Sequence, residues 1–223
     1  IVGIAKGVGM IEPDMATMIA IITTDAEISS ARLDIIFRRV VGHTFNALSV
    51  DTDTSTSDMA VVLASGQAGP VDEKQFETAL SEVCLNLTRQ LAADGEGAET
   101  LIVVDVTSAR DEGQAIRVAK AIVNSPLVKT AIHGRDPNWG RVAMAIGKCG
   151  DADINQQDVS IYFGDQEVYP TPASPQKLTE LETYLASEEV RITADLGIGD
   201  GTFTAYGCDL TDRYVRINAD YTT

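Results

Sequence analysis

The sequence holds few cysteines and histidines, and their spacing excludes several kinds of site. There are three cysteines, Cys84, Cys149 and Cys208, and two histidines, His43 and His133. Without a C-x-x-C pair or neighbouring histidines, the spacing predicts no zinc site. No serine or cysteine signature accompanies the histidines, so a Ser–His or Cys–His triad is not predicted either. An odd number of separated cysteines is typical of a reduced, cytoplasmic protein, in which each is a small buried side chain.

Basic residues and long apolar runs are also scarce. The chain has 17 lysines and arginines against 33 acidic residues, which gives a formal net charge of −16. Such a chain repels nucleic acid and anionic lipid surfaces. No apolar run approaches the ~20 residues of a membrane-spanning helix, and the glycine motifs of nucleotide-binding loops are absent. The sequence therefore predicts no nucleic-acid partner, no membrane partner, no metal and no nucleotide cofactor.

The apolar spacing predicts strands alternating with helices, which favours an α/β or α+β core. A helix is expected from Ser29 or Ser30 to Leu48, and another begins at 70–72 and ends before 92. The other predicted elements are strands over 18–24, 59–64, 101–106, 159–163, 190–196 and 214–218, helices over 112–124, 142–146 and 177–186, and a hairpin region over 197–207. Gly66 is expected to form a turn after the strand that ends at 64.

Three polar or glycine-rich segments are predicted as loops. Segment 51–58 has the spacing D-x-D-x-S but lacks the glycine and closing glutamate of a calcium loop. In segment 94–97, glycines flank Glu96, which permits close approach of a ligand but is equally typical of a helix end. Segment 126–141 is polar and bracketed by glycine and proline, so it is either a functional loop or a structural network of Asp136 with arginines.

Thr17 lies where a glycine-rich stretch turns into the apolar run Met18–Ile22. From spacing alone, the main interpretation is a threonine that begins a strand, and a nucleophile is the alternative. The motif around it changes that balance. Residues 6–18 read Lys-Gly-x-Gly-Met-Ile-x-Pro-x-Met-Ala-Thr-Met, which resembles the self-cleaving segment of the ornithine acetyltransferase family. Residues 6–25, 94–98, 126–141 and 207–223 all resemble that family.

The resemblance implies a fold and a division of the chain. The fold would be α+β, a layered sandwich of sheets flanked by helices of the N-terminal-nucleophile-like αββα type, with a smaller C-terminal α/β domain. Residues 1–16 would end the α chain of a longer precursor and 17–125 would form the nucleophile-bearing domain. Residues 126–223 would form the C-terminal domain, whose tail returns to the active site.

The resemblance also implies an activity. The precursor would cut itself between Ala16 and Thr17, and Thr17 would then carry an acetyl group from N2-acetylornithine to glutamate. A free α-amino group titrates near ~8 and can serve as the base for its own hydroxyl. Matched residue by residue, Glu96 would join Thr17 in catalysis, and Lys6, Glu96, Asn218 and Thr223 would bind substrate.

Partners and alternatives follow from the same resemblance. The α chain would supply the oxyanion hole in an α2β2 heterotetramer of the cytoplasmic arginine pathway. No cofactor is implied, with acetyl-CoA left open as another acetyl donor. The family commonly continues Ala-Thr-Lys after Asp-Gly-Glu-Gly, whereas Glu99 and Thr100 follow Ala98 here, which leaves the substrate preference open. A threonine-nucleophile amidohydrolase or aminopeptidase and a non-catalytic assembly subunit remain alternatives.

Overall fold

A computed structural model describes residues 1–7, 9, 18–53 and 57–220. The chain forms two compact units, 1–95 and 96–223. The strand that follows residue 100 belongs to the sheet of the second unit, so packing divides the chain at 95/96, whereas the sequence placed a domain boundary at 125/126. Among the described residues, no helix has both the length and the apolarity to cross a bilayer.

The first unit is a sheet with helices on one face. Its described elements are β1 (Val2–Lys6), β2 (Ile19–Glu27), α1 (Ser30–His43), the 3-10 turn Phe45–Ala47, β3 (Met59–Pro70) and α2 (Glu73–Ala93). β2 is the middle strand, antiparallel to β1 and parallel to β3. The side chains of Ser29 and Asp72 cap α1 and α2 by accepting hydrogen bonds from backbone N–H groups in the first turn. The sequence predicted Ser29 or Ser30 as the cap of α1 and placed the start of α2 at 70–72.

The two faces of this sheet differ in burial. On one face Ala20 and Ile22 are fully buried, and α2 packs so closely that a methyl group on Gly3 would lie 2.9 Å from Val83 and Leu87. On the other face the alternating side chains of β1 and β3 point outward. There Val2, Ile4 and Leu63 are 68%, 66% and 55% exposed. The described part of this unit therefore leaves an apolar sheet face in contact with solvent.

The second unit is built on a mixed sheet whose strand order is β6-β5-β7-β4-β8. Its described elements are β4 (Leu101–Ala109), α3 (Glu112–Val123), α4 (Pro126–His133), α5 (Trp139–Gly147), β5 (Ser160–Phe163), β6 (Gln166–Tyr169), α6 (Pro175–Tyr184), β7 (Glu189–Asp195), β8 (Gly201–Cys208) and α7 (Asp212–Asp220). β4 runs parallel to β7 and antiparallel to β8, and Val103 and Val104 at its centre are fully buried. Helix α3 packs on β4 and β8. The predicted α+β class, with layers of sheet flanked by helices, is confirmed.

Three predictions for the second unit were wrong. Segment 126–141, expected as a loop, consists of α4, a short turn and the start of α5. Segment 214–218, expected as a strand, lies in α7. The region 197–207 does not form a hairpin between β7 and β8, because β4 lies between these strands in the sheet.

Two boundaries in the first unit also differ from the sequence prediction. Helix α1 ends at His43 instead of Leu48, because Thr44 leaves helical backbone angles and the 3-10 turn follows. Gly66 does not end its strand: it lies inside β3 with φ 75°, where the pairing of β2 with β3 shifts register. Glycine adopts this left-handed backbone conformation without steric cost, so the bulge is accommodated within the strand.

Candidate active site

The predicted site residues fall on described and undescribed parts of the chain. Ala16 and Thr17 at the predicted cleavage site, and Thr223 at the end of the chain, lie outside the described residues. Lys6 is described in the first unit, and Glu96 and Asn218 in the second. Each unit therefore holds a separate part of the predicted site.

In the first unit, strand pairing gathers one end of the sheet around Met18, the residue that follows Thr17. Ile19 lies opposite Lys6 of β1 and beside Met59 of β3. The parallel pairing of β2 with β3 therefore places Met18 and Asp58, the residues that precede these strands, next to each other. Lys6 ends β1 at the same edge, and its side chain is exposed.

The backbone of Met18 is held on both sides. Its N–H donates a hydrogen bond to Asp58 Oδ1 at 2.5 Å, and its carbonyl oxygen accepts one from the Met59 N–H at 2.9 Å. Met18 is 5% exposed. The nitrogen that Asp58 holds belongs to the peptide bond between Thr17 and Met18, so the described structure fixes the chain directly after the predicted nucleophile.

Asp58 itself is in an unfavourable environment for a carboxylate. Burial raises its pKa above the ordinary aspartate value, and the hydrogen bond from Met18 only partly opposes this effect. Its second oxygen, Oδ2, is buried, and no described residue donates a hydrogen bond to it. Sequence reasoning assigned Asp58 only to a polar loop. The sequence shows that Asp58 directly precedes a predicted strand. This position indicates a contact with Met18 only once the pairing of β2 with β3 is known.

In the second unit, the structure brings Glu96 and Asn218 together. Asn218 Nδ2 donates to Glu96 Oε2 at 2.7 Å and to the carbonyl oxygen of Tyr214 at 3.0 Å. Tyr214 and Asn218 lie one turn apart on α7, so the helix presents the amide of Asn218 to the loop that carries Glu96. Two site residues far apart in sequence thus form one polar pair.

Gly97 makes this pairing geometrically possible. It has φ 71°, and a methyl group at its Cα would lie 2.6 Å from the backbone nitrogen of Tyr214. Its carbonyl oxygen accepts a hydrogen bond from the Thr211 hydroxyl at 2.7 Å. In this structure the close approach that the flanking glycines permit is made by the beginning of α7, whereas the sequence suggested a ligand.

A second polar cluster lies in the same unit. His133 Nδ1 is 3.2 Å from Asp209 Oδ2 and 3.7 Å from Glu99 Oε2. The Asp209 side chain is fully buried, and its Oδ1 accepts hydrogen bonds from the backbone N–H groups of Glu99 and Thr100. These three side chains could ligate a divalent cation. The same distances suit an ordinary ion pair of a protonated histidine, so the cluster by itself assigns no metal. Its dispersed sequence positions explain why spacing gave no sign of it.

The motif in segment 126–141 has structural contacts. Asn138 caps α5 by accepting a hydrogen bond from the Arg141 N–H at 3.3 Å, and its amide donates to Asp136 at 3.1 Å. Arg141 donates to the carbonyl oxygen of Leu127 at 2.8 Å. Trp139 stacks on Tyr169 with ring centroids 4.7 Å apart. The Arg141 contact joins α4 to α5, and the Trp139 ring joins α5 to β6. Asp136 accepts its hydrogen bond from Asn138, whereas the sequence suggested arginine partners.

The cysteines have the character of apolar core residues. Cys84 and Cys208 are buried, as predicted, and Cys149 is half-buried. Burial raises the pKa of Cys84 to about 12 and also raises the pKa of Cys149. Because the thiolate is the nucleophilic form, neither environment favours a reactive cysteine.

The family comparison decides which protein class this geometry belongs to. The model of the ArgJ family matches residues 1–223. The chain belongs to the ArgJ family. Glutamate N-acetyltransferase Oat2 of Streptomyces clavuligerus is 58% identical to it over 229 residues, and the arginine biosynthesis bifunctional protein ArgJ of Rhodococcoides fascians is 57% identical over 226 residues. Both alignments cover 100% of this chain. The resemblance to ornithine acetyltransferases is thereby confirmed.

The fold agrees with a solved member of the ArgJ family. The crystal structure of the arginine biosynthesis bifunctional protein ArgJ from Bacillus halodurans aligns with a TM-score of 0.85 and 44% identity. The alignment covers 90% of this chain and 98% of that chain. The chain spans 58% and 56% of the lengths of the two relatives named above, from Streptomyces clavuligerus and Rhodococcoides fascians.

Proposed function

We propose that this chain forms the nucleophile-bearing part of a glutamate N-acetyltransferase that moves an acetyl group from N2-acetylornithine to glutamate. The observation that carries the proposal is the match of the entire chain to the ArgJ family, whose relatives include one named glutamate N-acetyltransferase. The anchoring of Met18 by Asp58 and the pairing of Glu96 with Asn218 support it, since both contacts involve segments that the family motif marks as functional.

The proposed chemistry begins with self-cleavage between Ala16 and Thr17: the Thr17 hydroxyl oxygen attacks the Ala16 carbonyl carbon, the peptide C–N bond breaks to give an ester, and water hydrolyses that ester. The products are the carboxylate of Ala16 and a free α-amino group and hydroxyl on Thr17. The hydroxyl oxygen of Thr17 then attacks the acetyl carbonyl carbon of N2-acetylornithine. The new C–O bond forms, the amide C–N bond breaks, and the hydroxyl proton passes through the α-amino group to the departing ornithine amine. A covalent intermediate of this kind divides a difficult amide exchange into two easier steps.

The second step regenerates the enzyme. The amine of glutamate attacks the carbonyl carbon of the acetyl-Thr17 ester, a C–N bond forms and the ester C–O bond breaks. The proton lost by the attacking amine returns to the Thr17 oxygen through the same α-amino group. N-acetylglutamate leaves, and Thr17 is free for another cycle.

The other site residues receive binding roles. Lys6 suits a substrate carboxylate, and Glu96 suits a substrate ammonium group or a proton relay. Asn218, which already donates to Glu96, would fix the orientation of that carboxylate. Thr223 would contribute its hydroxyl at the end of the chain.

A partner polypeptide completes the proposal. We assign the oxyanion hole to the α chain that precedes Thr17 in the precursor and expect an α2β2 heterotetramer. Support comes from the greater length of the relatives and from the exposed apolar face of the first sheet, since apolar patches of this kind commonly mark protein interfaces. No cofactor is needed for this chemistry, and acetyl-CoA remains open as an alternative donor. The separated cysteines support a cytoplasmic location.

The fate of the acetyl group tests this function. Purified protein from the complete reading frame that contains this chain is incubated with N2-acetylornithine, with and without glutamate. We expect N-acetylglutamate to form at a rate far above acetate release, and Thr17→Ala to abolish its formation. Acetate as the main product in the presence of glutamate would instead identify a hydrolase, and an inactive wild type would favour an assembly subunit.

A further inference from the structure

Within the described structure, the carboxylate of Asp58 has a hydrogen-bond donor for only one of its two oxygens. Oδ1 accepts a hydrogen bond from the Met18 N–H at 2.5 Å, whereas no described residue donates to the buried Oδ2. Buried polar atoms are nearly always hydrogen-bonded, and a buried carboxylate oxygen without a donor is costly. An unpaired oxygen of this kind calls for a specific partner or a specific role.

Strand pairing makes the position of this carboxylate well defined. The parallel pairing of Ile19 with Met59 and the hydrogen bond from the Met59 N–H to the Met18 carbonyl oxygen fix the two strand ends side by side. The position of Asp58 is therefore fixed by the strand pairing. Its backbone directly precedes a strand, and its side chain spans to the neighbouring strand.

Covalent connectivity points to a donor for the free oxygen. The nitrogen that Oδ1 holds is bonded to the carbonyl carbon of Thr17, so the α-amino nitrogen and the hydroxyl of Thr17 are only a few covalent bonds away. Both groups are hydrogen-bond donors, and the α-amino group is created at this point of the chain by the proposed cleavage. Burial raises the pKa of Asp58, and a donor or cation at Oδ2 would relieve this unfavourable environment.

We infer that Asp58 is a positioning residue for Thr17: one carboxylate oxygen anchors the Thr17–Met18 peptide group, and the other accepts a hydrogen bond from Thr17 itself. This role rests on the proposed function. Asp58 does not contact the substrate in this scheme. It orients the nucleophile for self-cleavage and for acetyl transfer, because both reactions use the hydroxyl of Thr17.

Two substitutions separate the roles of the two oxygens. Asp58→Asn keeps an oxygen that can accept from the Met18 N–H, but replaces Oδ2 with an NH2 group that cannot accept. Asp58→Ala removes both oxygens. Asp53→Asn serves as the matched control, since it removes the same charge from an exposed side chain of the same segment. All variants are made in the complete reading frame that contains this chain.

We expect D58N to slow self-cleavage and to lower kcat about 100-fold, since a small misplacement of a reacting group can cost this much. KM for N2-acetylornithine should stay within about twofold, because substrate contacts are intact. D58A should be impaired at least as strongly, and D53N should match the wild type. Removing a buried charge should leave the melting temperature of D58N at neutral pH no lower than that of the wild type, which excludes unfolding as the cause.

The outcomes distinguish this inference from the proposed function. If D58N cleaves and transfers acetyl like the wild type while D58A does not, Oδ2 has no role and the inference is overturned. If the wild type is cut but transfers no acetyl group, the proposed transfer fails, whereas slower cutting of D58N still supports the role of Asp58. If the wild type is not cut at all, both are wrong.

Discussion

Gly97 shows how a single residue can determine whether two predicted site residues, Glu96 and Asn218, meet. The beginning of α7 packs against it so closely that no side chain fits, and its φ of 71° is one that other residues adopt only with strain. Next to it, Glu96 receives the hydrogen bond from Asn218. The backbone conformation at Gly97 therefore allows Glu96 and Asn218, both proposed to bind substrate, to form their hydrogen bond.

Gly97→Ala should therefore damage both stability and activity. We expect a loss of at least about 2 kcal/mol in the free energy of unfolding from backbone strain and overpacking together, measured by chemical denaturation. Acetyl transfer should fall as Glu96 and Asn218 separate. Gly42→Ala is the control, because a methyl group at Gly42 meets no atom within 4 Å, and it should be neutral or stabilising by up to about 1 kcal/mol. Equal stability of G97A and wild type would contradict the packing described for α7.

Among individual residues, the sequence identified Glu96 and Asn218 as site residues but did not identify Asp58. Glu96 stood out because glycines flank it, and the resemblance matched Asn218 to a binding role. Their mutual hydrogen bond depends on how α7 packs, which no local pattern contains. Asp58 was hidden in a polar run, because its partner Met18 is brought to it only by the parallel pairing of two strands separated by a helix.

Among the secondary-structure elements, α1 and α2 are joined by two ion pairs on their exposed surfaces. Arg32 donates from Nε to Glu73 at 3.0 Å and also from Nη2, and Arg39 donates to Glu77 at 2.8 and 2.7 Å. The hydrogen bond from its arginine is the largest influence on each carboxylate, and it lowers the pKa of Glu73 and of Glu77. A lowered folded-state pKa means that the pairs stabilise the fold only while the glutamates are ionised.

The double substitution Arg32→Gln, Arg39→Gln should therefore be destabilising in a pH-dependent way. The effect should be fully present above the ordinary glutamate pKa of about 4.3 and should vanish as pH falls through the lowered folded-state values. High salt should also reduce it. Thermal melting from pH 2 to 7 measures it, with Arg38→Gln as control, since Arg38 pairs with Asp34 inside α1. A destabilisation that persists unchanged at pH 2 would show that the arginines act through packing instead.

Helix α7 shows where local patterns fail. Tyr214, Arg216 and Asn218 alternate with Val215 and Ile217, so the polar–apolar period of two predicts a strand. The observed helix is favoured by contacts that the alternation does not reveal. The Thr211 hydroxyl accepts from the Arg213 N–H at 3.1 Å, and Arg216 pairs with Asp212 one turn away at 2.9 Å. By contrast, the start of α2 was predicted within a few residues, because a long apolar stripe at helical spacing is a strong local signal.

Across the whole chain, the site residues predicted from the sequence are distributed over the two compact units. The first holds Lys6 and the anchored Met18, and the second holds the pair of Glu96 and Asn218. Periodicity predicted an α/β or α+β core, and the family resemblance implied the α+β class with a domain boundary at 125/126, inside the unit that β4 organises. The strand order of that sheet, with β4 between β7 and β8, arises from long-range pairing that no short segment encodes.

The central claim is that Thr17 becomes the first residue of a polypeptide and carries the acetyl group. The most direct measurement is mass spectrometry of the purified protein from the complete reading frame, before and after incubation with N2-acetylornithine alone. We predict a polypeptide that begins at Thr17 and that gains one acetyl group on this residue, which glutamate then removes. An uncut Ala16–Thr17 bond, or an acetyl group on any other residue, would contradict the account.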